Sequence, residues 1–332
     1  MDEVSFNATT SSSLEVSVNN FVQYFMPIVT GISIPLSLTN LLVFLNNGIQ
    51  NSPSNIIYIN LVIMDLINSL IGVVVSVDMW ENSDHKSKHH WGNDTLLERT
   101  ECYLFLFTFD ASIVLVFGLA LIRVLWVSMS AIHVLCKLNM AAWIAVGLAY
   151  FRGVESCLYS YFGKLLIKKR QPFPDAFIEV SDLLECLMIL ATISMAVYTQ
   201  IRIRFHKSKI NTSTYRSASW TSFFITLNLT VSYSYYIVIN VVRIYFTEQR
   251  GADNYEDMCN SPQHWTWVDI LLCDVLYVGV AFMCLNSLAN SVVLLCQKRT
   301  RKFLVRMAKM CWSDVKMKCQ NVFRDDYDYN YL

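Results

Sequence analysis

Seven apolar runs, each long enough to cross a bilayer as a helix, constrain this chain more than any other feature. They fall at about residues 21–45, 56–79, 103–131, 139–162, 176–200, 219–246 and 266–296. A helix needs roughly 20 residues to cross about 30 Å of hydrocarbon. The expected fold is therefore all-α: a seven-transmembrane helix bundle, followed after span seven by a short amphipathic helix on the membrane surface. Composition agrees, with 54% hydrophobic and 16% charged residues against roughly 25% charged in an ordinary soluble domain. The chain shows no solenoid-period repeat, and its spans do not divide into two similar halves broken by Gly or Pro, the pointer to a transporter. The expected division is an extracellular tail at 1–20, one seven-span domain at 21–297, and a cytoplasmic helix and tail at 298–332.

Orientation follows from the positive charges, which collect on cytoplasmic flanks. Arg202, Arg204, Lys207, Lys209 and Arg216 lie between spans five and six, and Lys298, Arg299, Arg301, Lys302, Arg306 and Lys309 follow span seven. Both stretches are assigned to the cytosol. The first 20 residues hold Asp2, Glu3 and Glu15 with no Lys or Arg. Sequons at Asn7 and Asn93 then lie outside, where glycosylation occurs. Those at Asn211 and Asn228 fall in cytosol and membrane and are discounted, and Lys164, Lys168, Lys169 and Arg170 are read as loop chemistry outvoted by the larger clusters. The start is polar without a basic n-region and apolar h-region, so the first span is expected to serve as signal anchor. The protein is placed in the plasma membrane, multi-pass, with its amino terminus outside. A net charge of zero gives no pointer to nucleic acid.

Asp65 sits well inside IIYINLVIMDLINSLIGVVVSV, where an ionised side chain costs about 2.5–3.5 kcal/mol on insertion. Such a residue faces a wet or polar interior and is a pointer to function.

Asn60, Leu61 and Asp65 in span two, Asn40 in LTNLLVF of span one, Trp143 in span four, Arg123 in LALIRVLWV and Asn286 in LNSLANSVVLL together resemble the rhodopsin-like G protein-coupled receptors, in a divergent, trace-amine-associated or other chemosensory branch. Trp91 and Gly92 look like the family's first extracellular loop motif, with Trp91 lying 32 residues before Arg123 (123 − 91). Ser287 and Asn290 depart from the family's Asn-Pro-x-x-Tyr pattern. The resemblance implies a pocket of Asp65, Ser112 and Asn286 that holds a sodium ion, with no other metal and no other cofactor. It also implies that Arg123, with Tyr198, Arg202 and Arg204, meets a heterotrimeric G protein. KRTRKFLVRMAKMCW supplies the amphipathic segment, facing membrane lipid, and Cys311 is its palmitoylation candidate. The acidic, aromatic tail DDYDYNYL is read as disordered, with arrestin or receptor kinase as partners.

By the family's count from Arg123, the usual cysteine at the top of span three falls at Glu98, and this chain has Cys102 instead. Its extracellular bridge partner is Cys157 or Cys259, a choice sequence alone leaves open. The outer ends of the spans carry Asp110, Glu179, Asp182, Glu185, Asp269 and Asp274 against Arg152 and Arg243. A net negative, partly dry cavity selects cations, since an ammonium beside a carboxylate recovers in the pair what it loses in hydration. The expected ligand is a small extracellular protonated amine with Asp110 or Asp182 as counter-ion. Glu179, Asp274, Tyr277, Cys186 and Phe105 are the further ligand candidates, and Phe105 occupies the position where aminergic receptors carry aspartate. Loop segment DHKSKHH, with His85, His89 and His90, is read as solvated and not as a metal site.

Ile122 replaces the acid that the family pairs with Arg123, and span six has neither the Trp nor the Pro of the family's switch. Looser restraint on Arg123 and raised basal activity are expected. An odorant or peptide receptor of the same fold, or a seven-span channel or transporter, are the alternatives. No nucleophile and base pair stands out, so an enzyme is not expected. Span seven has no lysine for a retinal Schiff base.

Overall fold

The computed structural model describes the backbone at residues 8–46, 52–81, 96–128, 134–168, 175–205, 220–235, 275–297, 300–306, 308–310 and 312–313, and the side chains over most of these except near several helix ends. Among the described residues all regular structure is helical. In chain order the helices are α1 (Ala8–Asn46), α2 (Pro53–Glu81), α3 (Leu96–Ser128), α4 (Val134–Lys168), α5 (Asp175–Phe205), α6 (220–235), α7 (Val275–Leu295) and α8 (300–306). Four contain stretches long and apolar enough to cross a membrane: Tyr24–Asn46, Pro53–Val77, Tyr103–Ser128 and Leu183–Ile203. Those four mark the chain as a membrane protein. α4 is 35 residues long and carries Lys137, Arg152 and Glu155 among its apolar residues. α1 is helical from Ala8, ahead of the expected boundary between tail and span.

Local chemistry sets several helix features. Pro53 opens α2 at the first helical position, where its missing N–H would have no partner in any case, and the Ser52 carbonyl accepts from the Asn55 amide at 2.9 Å. Pro27 and Pro35 lie inside α1, and each removes one ladder bond. Threonine hydroxyls attach to the carbonyls beside them, Thr30 to Met26 at 2.8 Å and Thr39 to Pro35 at 2.7 Å.

α2 and α3 are the central helices. α3 packs on α2, α4 and α5, while α2 also contacts α1, α4 and α7. Small residues let these backbones approach, as membrane interfaces require when no hydrophobic effect draws helices together. A methyl group on Gly118 would stand 2.7 Å from the Ala145 Cβ, so α3 and α4 touch there without room for a side chain. The outer faces are apolar and exposed: Ile28 and Leu42 on α1, Trp143 and Phe151 on α4, Leu187 and Leu190 on α5. On a membrane helix such a face meets lipid. α7 ends in a turn at Cys296 and Gln297, and α8 presents Arg301, Lys302, Val305 and Arg306 outward while Thr300 is buried.

Candidate functional site

Polar side chains line the inside of the bundle in one continuous set. α1 turns Thr30, Ser33, Ser37 and Asn40 inward, spaced by three or four residues so that they share a face, and all four are fully buried. α7 answers with Asn286, Ser287, Asn290 and Ser291, also fully buried. Asn40 donates to the Ser291 carbonyl at 2.9 Å, and the Ser37 and Ser291 hydroxyls are 2.8 Å apart. These bonds fix α1 against α7.

Asp65 stands in the middle of this set with no exposure at all. The Asn290 side-chain amide donates to its Oδ1 at 3.3 Å. Asn228 of α6 in turn donates to Asn290 Oδ1 at 3.2 Å and to Asn286 Oδ1 at 2.8 Å. α2, α6 and α7 are thereby joined through three asparagines and one aspartate. Ser287 stands beside the carboxylate without closing a hydrogen bond to it. Above this layer Thr108 of α3 donates to Asn68 Oδ1 at 2.5 Å.

Of the three residues expected to hold sodium, Asp65 and Asn286 enter this network, and Ser112 donates instead to the Thr108 carbonyl of its own helix at 2.6 Å. A hard cation needs unoccupied oxygens pointing at it. Here one Asp65 oxygen is taken by an amide N–H and the Asn286 oxygen by another. Two of the buried atoms left over, Asn286 Nδ2 and Asn68 Nδ2, are donors only, and beside them stand Asp65 Oδ2 and the Ser287 hydroxyl. That set does not fit a sodium ion.

A second cluster gathers where α3, α4 and α5 meet. Asp110 is buried and accepts a short hydrogen bond from the Ser156 hydroxyl. Glu185 lies within hydrogen-bonding reach of Asp110. Arg152 donates from one guanidinium nitrogen to Glu185 at 3.0 Å and from the other to Glu155 at 3.1 Å. The side chains of Arg152 and Glu185 are only 18% and 12% exposed, whereas Glu155 is 39% exposed. Three carboxyl groups thus face one guanidinium, two of the three in the interior. Phe105 packs against Phe109 one turn away, ring centroids 5.9 Å apart, and Phe109 stacks on Tyr233 of α6 at 4.1 Å. Cys186 is half-buried beside Glu185. Glu179 and Asp182 lie on α5 and Tyr277 on α7 with side chains outside the described residues, and Asp274 lies outside them altogether.

Thirteen residues along α3 from Asp110, about 20 Å by helix rise, Arg123 is buried. It donates to the Tyr58 hydroxyl of α2 at 3.3 Å, and its guanidinium carbon lies 5.5 Å from the centre of the Trp126 ring. Both partners are neutral, and Ile122 beside it is buried in the core. Tyr198 and Arg202 are exposed on α5, while Thr199 of the same turn is buried. The Cys157 thiol reaches the Tyr103 carbonyl at 3.0 Å, which sets it next to the residue following Cys102. The Cys102 and Arg204 side chains, and Cys259, Cys311, Asn7 and Asn93, lie outside the described residues.

Sequence reasoning missed Asn290 and Asn228. The first stands out only as a break in a family pattern, although it lies four residues after Asn286 and so on the same face. The second reads as a sequon in the wrong place. Glu185, Arg152 and Ser156 are visible as polar residues in apolar runs, but their meeting across three helices is a tertiary fact. No known protein family and no curated protein matches the chain.

Proposed function

We propose that this protein is a seven-span receptor of the rhodopsin-like kind in the plasma membrane, which takes a small extracellular organic cation and activates a heterotrimeric G protein. In that reading α4, α6 and α7 are the described parts of further spans, α8 is the membrane-surface helix, and the amino terminus is outside. The observation that carries it is the meeting of Asp110 and Glu185, two interior carboxyl groups within hydrogen-bonding reach of each other and beside one guanidinium. Inside a membrane, ionisable groups without full internal compensation mark ligand or ion sites. A monovalent organic cation supplies the missing positive charge, with Asp110 as its counter-ion and the Phe105, Phe109 and Tyr233 aromatic stack beside it. α3 joins that cluster to Arg123, the group that would contact the G protein. Tyr58 is the restraint on Arg123 that the G protein would displace.

A panel of amines, amino acids and short peptides, applied to cells carrying promiscuous G proteins, tests this. An amine agonist is expected, and Asp110→Asn should raise its half-maximal concentration by about 100-fold or more, the equivalent of about 3 kcal/mol of lost charge pairing. An unchanged dose-response curve in a folded Asp110→Asn variant defeats the ligand assignment. Ligand-evoked current without a G protein assigns the chain to the channels instead.

A further inference from the structure

We infer that a relay of side-chain amides occupies the place of a metal ion at Asp65, and that the bundle core is consequently indifferent to sodium. The relay runs Asn228 to Asn290 to Asp65, at 3.2 and 3.3 Å. Its direction is internally fixed. Asn290 uses its oxygen to accept from Asn228, so its nitrogen is the atom that faces the carboxylate, and a carboxylate requires a donor there. The Asn290 N–H satisfies Oδ1 as an acceptor and takes up one of the positions from which a cation would be coordinated.

The unpartnered atoms around the relay carry the second half of the argument. Asp65 Oδ2, Asn286 Nδ2, Asn68 Nδ2 and the Ser287 hydroxyl are all buried without partners in the protein. The two amide nitrogens offer hydrogens where a cation would need oxygens. The inference rests on the core geometry and on neither the ligand nor the G protein.

The full-length protein in detergent or nanodiscs decides the matter by its thermal unfolding midpoint in sodium chloride against choline chloride at equal ionic strength. The wild-type midpoints should coincide. A sodium-specific rise of about 3 °C or more, the shift expected when an ion binds the folded state alone, overturns the proposal. A second measurement is the double-mutant cycle of Asp65→Leu and Asn290→Leu. The double variant should lose clearly less stability than the sum of the single losses, because each single change orphans the other's partner, and strict additivity overturns the relay. The sodium titration needs no variant, so a variant that fails to fold leaves the question decidable. A receptor that couples to G protein yet shows a sodium-dependent midpoint overturns this inference alone, and a sodium-indifferent protein that fails to couple overturns only the receptor reading.

Discussion

Replacing Arg152 by methionine tests the charged cluster most directly, because the structure separates its two ion pairs by environment. The bond to Glu185 joins two mostly buried groups across helices, and losing one partner of such a pair costs about 3–5 kcal/mol, since a carboxylate is left uncompensated. The bond to Glu155 lies within one helix, and its acid is 39% exposed, so it contributes only about 0.3–0.5 kcal/mol. Polar interactions measured in membrane bundles fall at the weak end, averaging about 0.6 kcal/mol, which directs the estimate for Arg152→Met to about 3 kcal/mol. Methionine keeps much of the arginine stem's volume, so little of that loss comes from packing. The readout is the unfolding midpoint of purified protein, for which a drop of about 6–12 °C is expected at about 2–4 °C per kcal/mol. Glu185→Leu should cost a similar amount, Glu155→Gln no more than about 1–2 °C, and the Arg152→Met, Glu185→Leu double variant less than the sum by about 2 kcal/mol. Equal shifts for Glu155→Gln and Glu185→Leu, or an additive cycle, would refute the reasoning.

Gly118→Val drives a branched side chain into the Ala145 contact, where even one methyl group stands at 2.7 Å, and should destabilise by about 1–3 kcal/mol. Gly147→Ala, with nothing within 4 Å of the added carbon, is the control and should leave the unfolding midpoint nearly unchanged. Tyr233→Phe removes only the 2.9 Å bond to the Phe109 carbonyl and should cost about 1 kcal/mol. Tyr233→Ala also removes the stack and should cost about 3–5 kcal/mol, so comparable midpoints for the two variants would contradict the packing described. Arg123 is held by a hydroxyl and a ring instead of by an acid. Ile122→Asp should therefore lower ligand-free nucleotide exchange on a G protein, and Tyr58→Phe should raise it; if neither moves the basal rate, Tyr58 is not the restraint.

What could be read from the sequence follows from periodicity and cost. The runs that became α2, α3 and α5 are apolar enough to be found by length alone. Asp65 is found because a charge in oil is expensive. α4 is the instructive case: its run at 139–162 is found by length, but the partners that explain Arg152 lie partly on α3 and α5, which no window along α4 contains. Asn290 illustrates the opposite failure. Against a family pattern it looks like a loss, since the pattern records which residue type is usual and not which hydrogen bond must be made. Asn228 shows that a glycosylation sequon inside an apolar run is better read as a half-buried interhelical amide than set aside. Tyr198 points outward because its neighbour Thr199 takes the interior position, a rotational register that depends on how α5 leans against α3.

Gly72 carries a mechanical consequence. Any carbon added there would meet the Cys284 sulfur at 2.5 Å and Thr30 at 2.6 Å, so α1, α2 and α7 are clasped at one point with no slack. Together with the Asn40 and Ser37 bonds to Ser291, that clasp makes the three helices a stator. Among the described residues, α6 meets that stator through the Asn228 amide and the Tyr235 ring stacked on Phe282 at 4.5 Å, so in the receptor reading proposed above α6 is the helix with the slighter hold on it.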